Sequence, residues 1–387
     1  MTDDIEIVVG LCADCAIHDS LKRLIEEQHE LGMCAFCEKP DARIPSTTRV
    51  EPMVMLLRAL IRFYWDEFLY NHHWGGDTPM ALLCEPDNPV VKPPKSDRFH
   101  DEFVHLLEDP PYPDLDKGVA LYAGHDEYGR GMNCAISRAH APTVSRLRKK
   151  LLVENFTEIE DDLEGLVDPF LGDITTTIQT EELWFRARLG QKSLVRGEAA
   201  GCEGEVKREP WSGMEIGSPP PPDAGAGRLN RSGVSMLYLA SDPETAIAEI
   251  RPHPGHFISV GGFRNLEEIC IADFDPDISL FSTSDARLAL YEVIYTFDQS
   301  MSTPVTPDRQ KPYLLTQLLA EVLRRRGFDG VRFRSSVSNG TNLCVFHPRK
   351  FEFVEGYSAV HRLKSVEYAT VEVPSVLKPS AREIIKV

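Results

Sequence analysis

Apolar residues recur every three or four positions at Met53, Leu56, Leu57, Leu60, Ile61, Tyr64, Trp65 and Phe68, which predicts one long amphipathic helix after Pro52. The same period at Leu314, Leu315, Leu318, Leu319, Val322 and Leu323 predicts a helix over 312–326. Arg324 to Arg326 would sit at its negative end and Gly327 would stop it. Shorter helical patterns cover 97–107, 143–154, 285–298 and 19–30; in the last, Leu21, Leu24 and Ile25 share a face and Gly32 ends the run. Strands are expected at 183–189, 234–239, 257–263, 269–274, 330–334 and 342–346. In the first of these, the period of two places Arg186 and Arg188 on one face.

Helical patterns dominate to about residue 171 and mix with strands thereafter, so the expected class is α+β. At 387 residues the chain exceeds one ordinary core. The expected division is a cysteine-bearing module at 1–46, a helical domain at 47–171 and a mixed α/β domain at 174–387. Two proline-rich pieces, VKPPK and EDPPYPDL, interrupt the helical part. Scattered glycines and the Pro219 to Pro222 run make 197–227 a long loop with an extended, stiff proline piece, expected to lie over a ligand as a lid. Trp211 is read as the anchor of that loop, with clamping of a ligand ring as the alternative.

Formal charge changes the functional picture. With 42 Lys and Arg against 60 Asp and Glu the net is -18, which argues against broad nucleic-acid binding, because phosphate attraction needs a cationic face. The acidic start MTDDIEIVVG has too short an apolar run for an export signal. The most apolar segment, near 53–65, is broken by Arg58 and Arg62, so no membrane span is expected and the location inferred is cytoplasmic.

Cys12, Cys15, Cys34 and Cys37 form two CxxC pairs separated by eighteen residues, a spacing that lets four thiolates close a tetrahedron around zinc. A disulfide pair does not suit a reducing compartment, and a redox CxxC needs no second copy. Four protein ligands leave no open position, so the expected role is structural. His18 and His29 are alternative ligands, read as solvated instead. The remaining cysteines stand singly and read as inert core thiols.

The stretch 225–249, GAGRLNRSGVSMLYLASDPETAIAE, brings candidate chemistry together. Small residues permit a tight turn that carries Arg228 and Arg231. Tyr238 lies on the strand that follows, and Ser241 or Asp242 can cap a helix with Pro243 in its first turn and Glu249 a turn or two later. A carboxylate among Ala246, Ile247, Ala248 and Ile250 is out of place on a face packed against a sheet. A glycine-rich turn with arginines, then an aromatic, then a carboxylate is what a pocket for a charged nucleotide needs. Ser335 and Ser336 fall at the end of a core strand, where pocket residues belong.

GRLNRSG followed by LYLASDPETAIAEI resembles the RES domain, the toxin module of bacterial toxin–antitoxin pairs. LWFRAR at 183–188 and RRRGFDGVRFRSSVSNGTNLCVFHP at 324–348 extend the resemblance over roughly the last half of the chain. It implies an ADP-ribosyltransferase-like fold and consumption of NAD by cleavage of the nicotinamide–ribose bond. Carried over by position, Glu249, Ser335 and Tyr238 become the catalytic candidates. Arg186 and Arg228 become the pyrophosphate-binding pair, with Arg188 and Ser336 as open alternatives at their positions, and Arg231 and Arg334 as second-rank phosphate candidates. Breaking that bond develops an oxocarbenium-like sugar, which a placed carboxylate stabilises. The interval between Arg186 and Arg228 is longer than in compact toxins, and no helix-turn-helix antitoxin is evident within the chain.

The front half resembles, more weakly, the HEPN-like helical region that accompanies some RES domains. HEPN ribonucleases carry Arg and His four to six residues apart on one helix, and no such pair stands in a helical setting here. The leading expectation is therefore an NAD glycohydrolase, with phosphate as another acceptor. An ADP-ribosyltransferase acting on a macromolecule and a non-catalytic NAD or ADP-ribose binding module stand as alternatives. The partners expected are NAD and a separate antitoxin protein, with no nucleic acid and no membrane; further copies of the chain remain an open alternative.

Overall fold

The structure is a computed structural model; it describes residues 9–46, 48–108, 118–121, 132–199, 202–303, 313–367 and 370. The EDPPYPDL interruption lies almost wholly outside these residues, as does Pro312.

In the N-terminal module, β1 (Val9–Gly10) runs parallel to β2 (His29–Cys34), and β2 is antiparallel to β3 (Ala42–Pro45). Helix α1 (Asp19–Glu27) buries the expected Leu21, Leu24 and Ile25. It ends before residue 30, because Gln28 is already extended and His29 enters a strand that bonds to neighbours on both sides. Gly32 is thus a strand residue and not a helix stop.

Helix α2 (Val50–Tyr64) buries Met53, Leu56, Leu57, Leu60 and Ile61, as the pattern requires. The single long helix expected to reach Phe68 breaks at Trp65, and α3 (Glu67–Tyr70) restarts it. The Asp66 carboxylate accepts from Ala135 N at 2.7 Å and Glu67 from Asn133 N at 2.8 Å, so a neighbouring loop claims the groups at the break. Helices α4 (Pro79–Leu83) and α5 (His100–Glu108) pack on α2, and α6 (Pro142–Lys150), α7 (Phe156–Val167) and α8 (Leu171–Ile174) lead into the sheet.

The eight-stranded mixed sheet has the order β13-β9-β5-β8-β12-β11-β10-β4. Its members are β4 (Thr175–Ile178), β5 (Leu183–Leu189), β8 (Leu237–Ala240), β9 (Phe257–Asn265), β10 (Ile269–Asp273), β11 (Gly330–Arg334), β12 (Thr341–Val345) and β13 (Phe351–Arg362). Between β10 and its parallel partner β11 the chain forms α10 (Asp285–Ser302) and α11 (Leu314–Arg325), the crossover a parallel pair requires. The class is α+β with a large mixed sheet. Edge strand β13, with a register shift between Phe353 and Ser358, extends the sheet beyond the last strand expected.

The loop expected over 197–227 is in its first part a hairpin. β6 (Ser193–Ala199) pairs with β7 (Cys202–Glu209) in antiparallel register, with an irregularity between Arg196 and Glu198. The Pro219 to Pro222 run is not one stiff rod: it bends into a turn closed by Asp223 N on Pro220 O at 2.9 Å. Trp211 N donates to Ser259 Oγ at 3.0 Å, which fastens this segment to β9.

One apolar core runs without interruption from Leu11 and Phe36 through Leu60 and Phe103 to Phe297, Leu319 and Phe346, so residues of all three sequence segments share it. A second core on the sheet joins Trp184, Leu239, Phe263, Ile271 and Val345. Ion pairs also cross from the front half to the sheet domain: Arg62 to Asp285, Arg23 to Asp277, Arg287 to Asp173 at 2.8 Å and Arg326 to Asp168 at 2.9 Å. No helix among the described residues is long and apolar enough to cross a membrane.

Candidate active site

The site forms where the sheet opens. β5 keeps a full ladder with β9 from Leu183 to Leu189, but it meets β8 through the Phe185–Ala240 pair. The Arg186 guanidinium reaches across the gap and donates to Tyr238 O at 2.8 Å. A cavity of about 280 Å³ occupies the opening, with Phe185, Arg186, Arg228, Tyr238, Glu249 and Asn342 in its wall.

Helix α9 (Pro243–Glu249) delivers the carboxylate, and its start is fixed by Asp242. Asp242 Oδ1 accepts from Thr245 N and Oδ2 from Thr245 Oγ1, each at 2.7 Å. Burial pushes this carboxyl up, but the bonds from Thr245 and Ser241 outweigh it and hold Asp242 below its ordinary value. Of the two caps expected from sequence, Asp242 is the one used. Gly340 lets the loop after β11 lie on this cap, since a Cβ there would stand 2.3 Å from Asp242 Oδ2.

Glu249 Oε1 accepts from Ser335 Oγ and from Asn342 Nδ2, both at 2.7 Å, and its Oε2 lies 3.8 Å from Arg228 Nη1. The carboxylate is thus held at one oxygen by two neutral donors, with a guanidinium near the other. Helix α11 fixes the Arg228 turn, as Gln317 Nε2 donates to Gly227 O at 2.9 Å and to Asn230 O at 3.0 Å. Tyr238 contributes a wall, not a free hydroxyl: its OH donates to Asn230 Oδ1 at 2.9 Å and accepts from Leu229 N at 3.1 Å. Burial raises this phenol well above its ordinary value, so it stays neutral. Burial likewise lowers Arg186 from the usual guanidinium value, and its Nε has no hydrogen-bond partner among the described residues. A buried donor without a partner costs about 1–3 kcal/mol, which an anion or carbonyl in the cavity would relieve.

Five sequence candidates therefore meet: Arg186, Arg228, Tyr238 and Glu249 in the cavity wall, and Ser335 through its bond to Glu249. Ser336 lines a neighbouring groove of about 900 Å³, which Ser335, Arg251 and His253 also line, and makes no bond to Glu249. Arg188 stacks over Trp211 at 4.5 Å and donates to Glu215 O. Arg231 lies over the Phe156 ring at 3.9 Å, and Arg334 is paired with Asp298. Sequence reasoning missed Asn342 and Asn230. Asn342 is 6% exposed and directly precedes the apolar run LCV, and a polar residue in a buried strand was the available signal.

The four N-terminal cysteines form a second constellation. The Cys12–Cys37 and Cys15–Cys34 sulfurs are each 3.8 Å apart, and all four lie within 4.8 Å of one another. A tetrahedral site with metal–sulfur bonds of about 2.3 Å has sulfur–sulfur edges of about 3.8 Å, so this donor set fits zinc. Zinc bound there would take the four sulfurs as thiolates and release their protons.

The class defined so far is an α+β chain with an opening of about 280 Å³ in its sheet, lined by two arginines and a hydrogen-bonded carboxylate. Residues 199–364 match the family model of the RES domain. No curated protein sequence matches it. Among solved structures, a chain of the M. tuberculosis MbcT-MbcA toxin-antitoxin complex is similar at 13% identity over 52% of this chain and 93% of its own, with a TM-score of 0.28.

Proposed function

We propose that the protein consumes NAD by cleaving its nicotinamide–ribose bond, as a toxin-type RES enzyme. The observation that carries this reading is the Glu249 carboxylate, fixed by Ser335 and Asn342 on the wall of a cavity shared with Arg186 and Arg228. In it, Arg186 and Arg228 take the pyrophosphate through charge-assisted bonds that a lysine would not reproduce. Arg186 Nε is the donor still without a partner among the described residues. Tyr238 packs on the nicotinamide or its ribose. Glu249 binds ribose hydroxyls and stabilises the oxocarbenium-like charge as nicotinamide leaves. Ser335 keeps the carboxylate aligned.

Water, phosphate and a protein side chain are the acceptors this pocket would serve; the first two give a glycohydrolase and a phosphorylase, the third an ADP-ribosyltransferase. The cysteine site would hold zinc as a staple of segment 1–46. Segment 47–171 would restrain the catalytic segment 174–387 or meet a partner, and control would come from a separate antitoxin protein. The test is incubation of the full-length protein with NAD, with and without phosphate, followed by chromatography of nicotinamide and ribosyl products. Release by the unmutated protein and not by Glu249→Ala supports the reading, and equal release by both sinks it.

A further inference from the structure

A second cleft, of about 260 Å³, lies away from the NAD pocket, where α1 and α2 of the front half meet the Asp275–Ile278 segment and α10. Its walls include His18, Tyr64, Asp275, Asp277, Tyr291 and Arg334. We propose that this cleft binds a small organic cation, an amine carried on a flat or aliphatic body, with Asp275 as its counter-ion and the tyrosine rings as its cage.

Charge is the first support. Both arginines of the cleft are already engaged: Arg23 with Asp277, and Arg334 with Asp298 through Nε at 2.7 Å and Nη2 at 2.5 Å. Asp298 is 0% exposed and makes the shorter contacts with Arg334. Asp275 keeps a 3.5 Å contact to Arg334 Nε, with Arg332 as a second nearby cation and Asp298 and Asp273 as like-charged neighbours. A carboxylate that shares its arginine with a closer partner attracts a further cation. His18 does not supply one: its Nδ1 accepts from Ser20 N at 3.3 Å, and burial holds the ring below its ordinary value, so it is neutral.

The second support is independent of the carboxylates. Tyr291 is 7% exposed as a residue, and it lines the cleft. Around it, Phe63, Tyr64, Tyr291 and Tyr295 form a contiguous aromatic cluster, with ring centroids 4.8 to 6.2 Å apart. Ring faces and a carboxylate together select an organic cation over a hydrated metal ion. The cleft also stands one residue from the proposed active site, because Arg334 lines it while Ser335 bonds Glu249. Occupancy itself does not depend on which reaction Glu249 serves.

The experiment is isothermal titration of the full-length protein with tyramine and with tyrosol, which differ in bearing an ammonium or a hydroxyl. The expected result is saturable one-to-one binding of tyramine, at least tenfold weaker binding of tyrosol, and at least a tenfold loss of tyramine affinity in Asp275→Asn. Tyr291→Phe, which preserves the ring, should weaken tyramine several-fold, and Glu249→Ala should bind it like the unmutated protein. No saturable binding of tyramine, equal binding of tyrosol, or undiminished affinity in Asp275→Asn would each overturn the proposal. Loss of binding in Glu249→Ala would also overturn it, by placing the amine in the NAD pocket.

Discussion

The Ser335 hydroxyl donates to Glu249 Oε1 at 2.7 Å and so joins the end of β11 to the last turn of α9 across 86 positions of sequence. The bond orients a carboxylate on a short helix by tying it to the sheet. Asn342, on the neighbouring strand, donates to the same oxygen, which leaves Oε2 directed toward Arg228.

From this follows a graded mutational series. Glu249→Ala and Glu249→Gln should each lower nicotinamide release by roughly a hundredfold or more, the scale of a single positioned acid–base or electrostatic group. Ser335→Ala removes one charge-assisted bond, worth about 1.5–3 kcal/mol, and should cost about ten- to a hundredfold while leaving residual turnover. The ordering is checked by initial rates of nicotinamide release, with circular dichroism to confirm that each variant is folded. A Glu249→Gln variant as fast as the unmutated protein would remove the carboxylate from the mechanism.

Gly227 is required by close approach. A Cβ there would lie 2.4 Å from Asn230 Oδ1 and 2.9 Å from the Tyr238 hydroxyl. Gly227→Ala must therefore displace the Asn230–Tyr238 bond and the Arg228 turn with it. The expected cost is about 1–3 kcal/mol of stability, the usual range for overpacking. Substrate affinity should fall as well, because Arg228 moves. Urea denaturation reads the first effect and NAD titration of Glu249→Ala, with and without the glycine change, reads the second. An unchanged affinity in the double variant would show that the Arg228 turn does not bind the nucleotide.

Much of this was legible in the chain. The period of α2 and α11 named their buried faces, and GRLNRSG with SDPETAIAE placed a turn, a cap and a carboxylate in order. Two kinds of information were not legible. The break after Tyr64 depends on Asp66 and Glu67 meeting backbone amides of residues 133 and 135, a tertiary competition that local periodicity does not register. The separation of Arg186 from Arg188 depends on Trp211 and Glu215 arriving from another segment to occupy Arg188, although strand alternation puts both arginines on one face. Ser335 was separated from Ser336 in the same way, by the position of Glu249 on a different element.

The cysteine site makes a prediction about folding. β1 and β2 pair over two residues each, β2 and β3 over four, and α1 packs on β3, so the module is a small one. Zinc bound by four thiolates would supply much of its stability, as in other small structural sites. Protein purified under reducing conditions should contain one zinc per chain by atomic emission. Cys34→Ser should lose the metal and melt at a lower temperature, whereas Cys344→Ser, outside the cluster, should keep it. Metal-free wild-type protein with an unchanged melting temperature would contradict the assignment.

A last prediction concerns pH. Burial pushes Asp275 from its ordinary 3.8 up to about 6, with Arg334 opposing and Asp298 and Asp273 adding to the rise, even though 41% of the side chain meets solvent. The folded value lies above the unfolded one. Between about pH 4 and 6 the unfolded chain has therefore given up a proton that the folded chain still holds. The stability this group contributes is then fully present below the unfolded value and is lost as pH rises through the folded one. Asp275→Asn cannot titrate, so the stability of the unmutated protein relative to the variant should fall steadily across that window and level off above it. Urea midpoints for both proteins at half-unit steps from pH 4 to 7.5 measure this directly. A difference that is flat across the window, or that grows with pH, would mean that Asp275 is ionised throughout and that Arg334 compensates it fully.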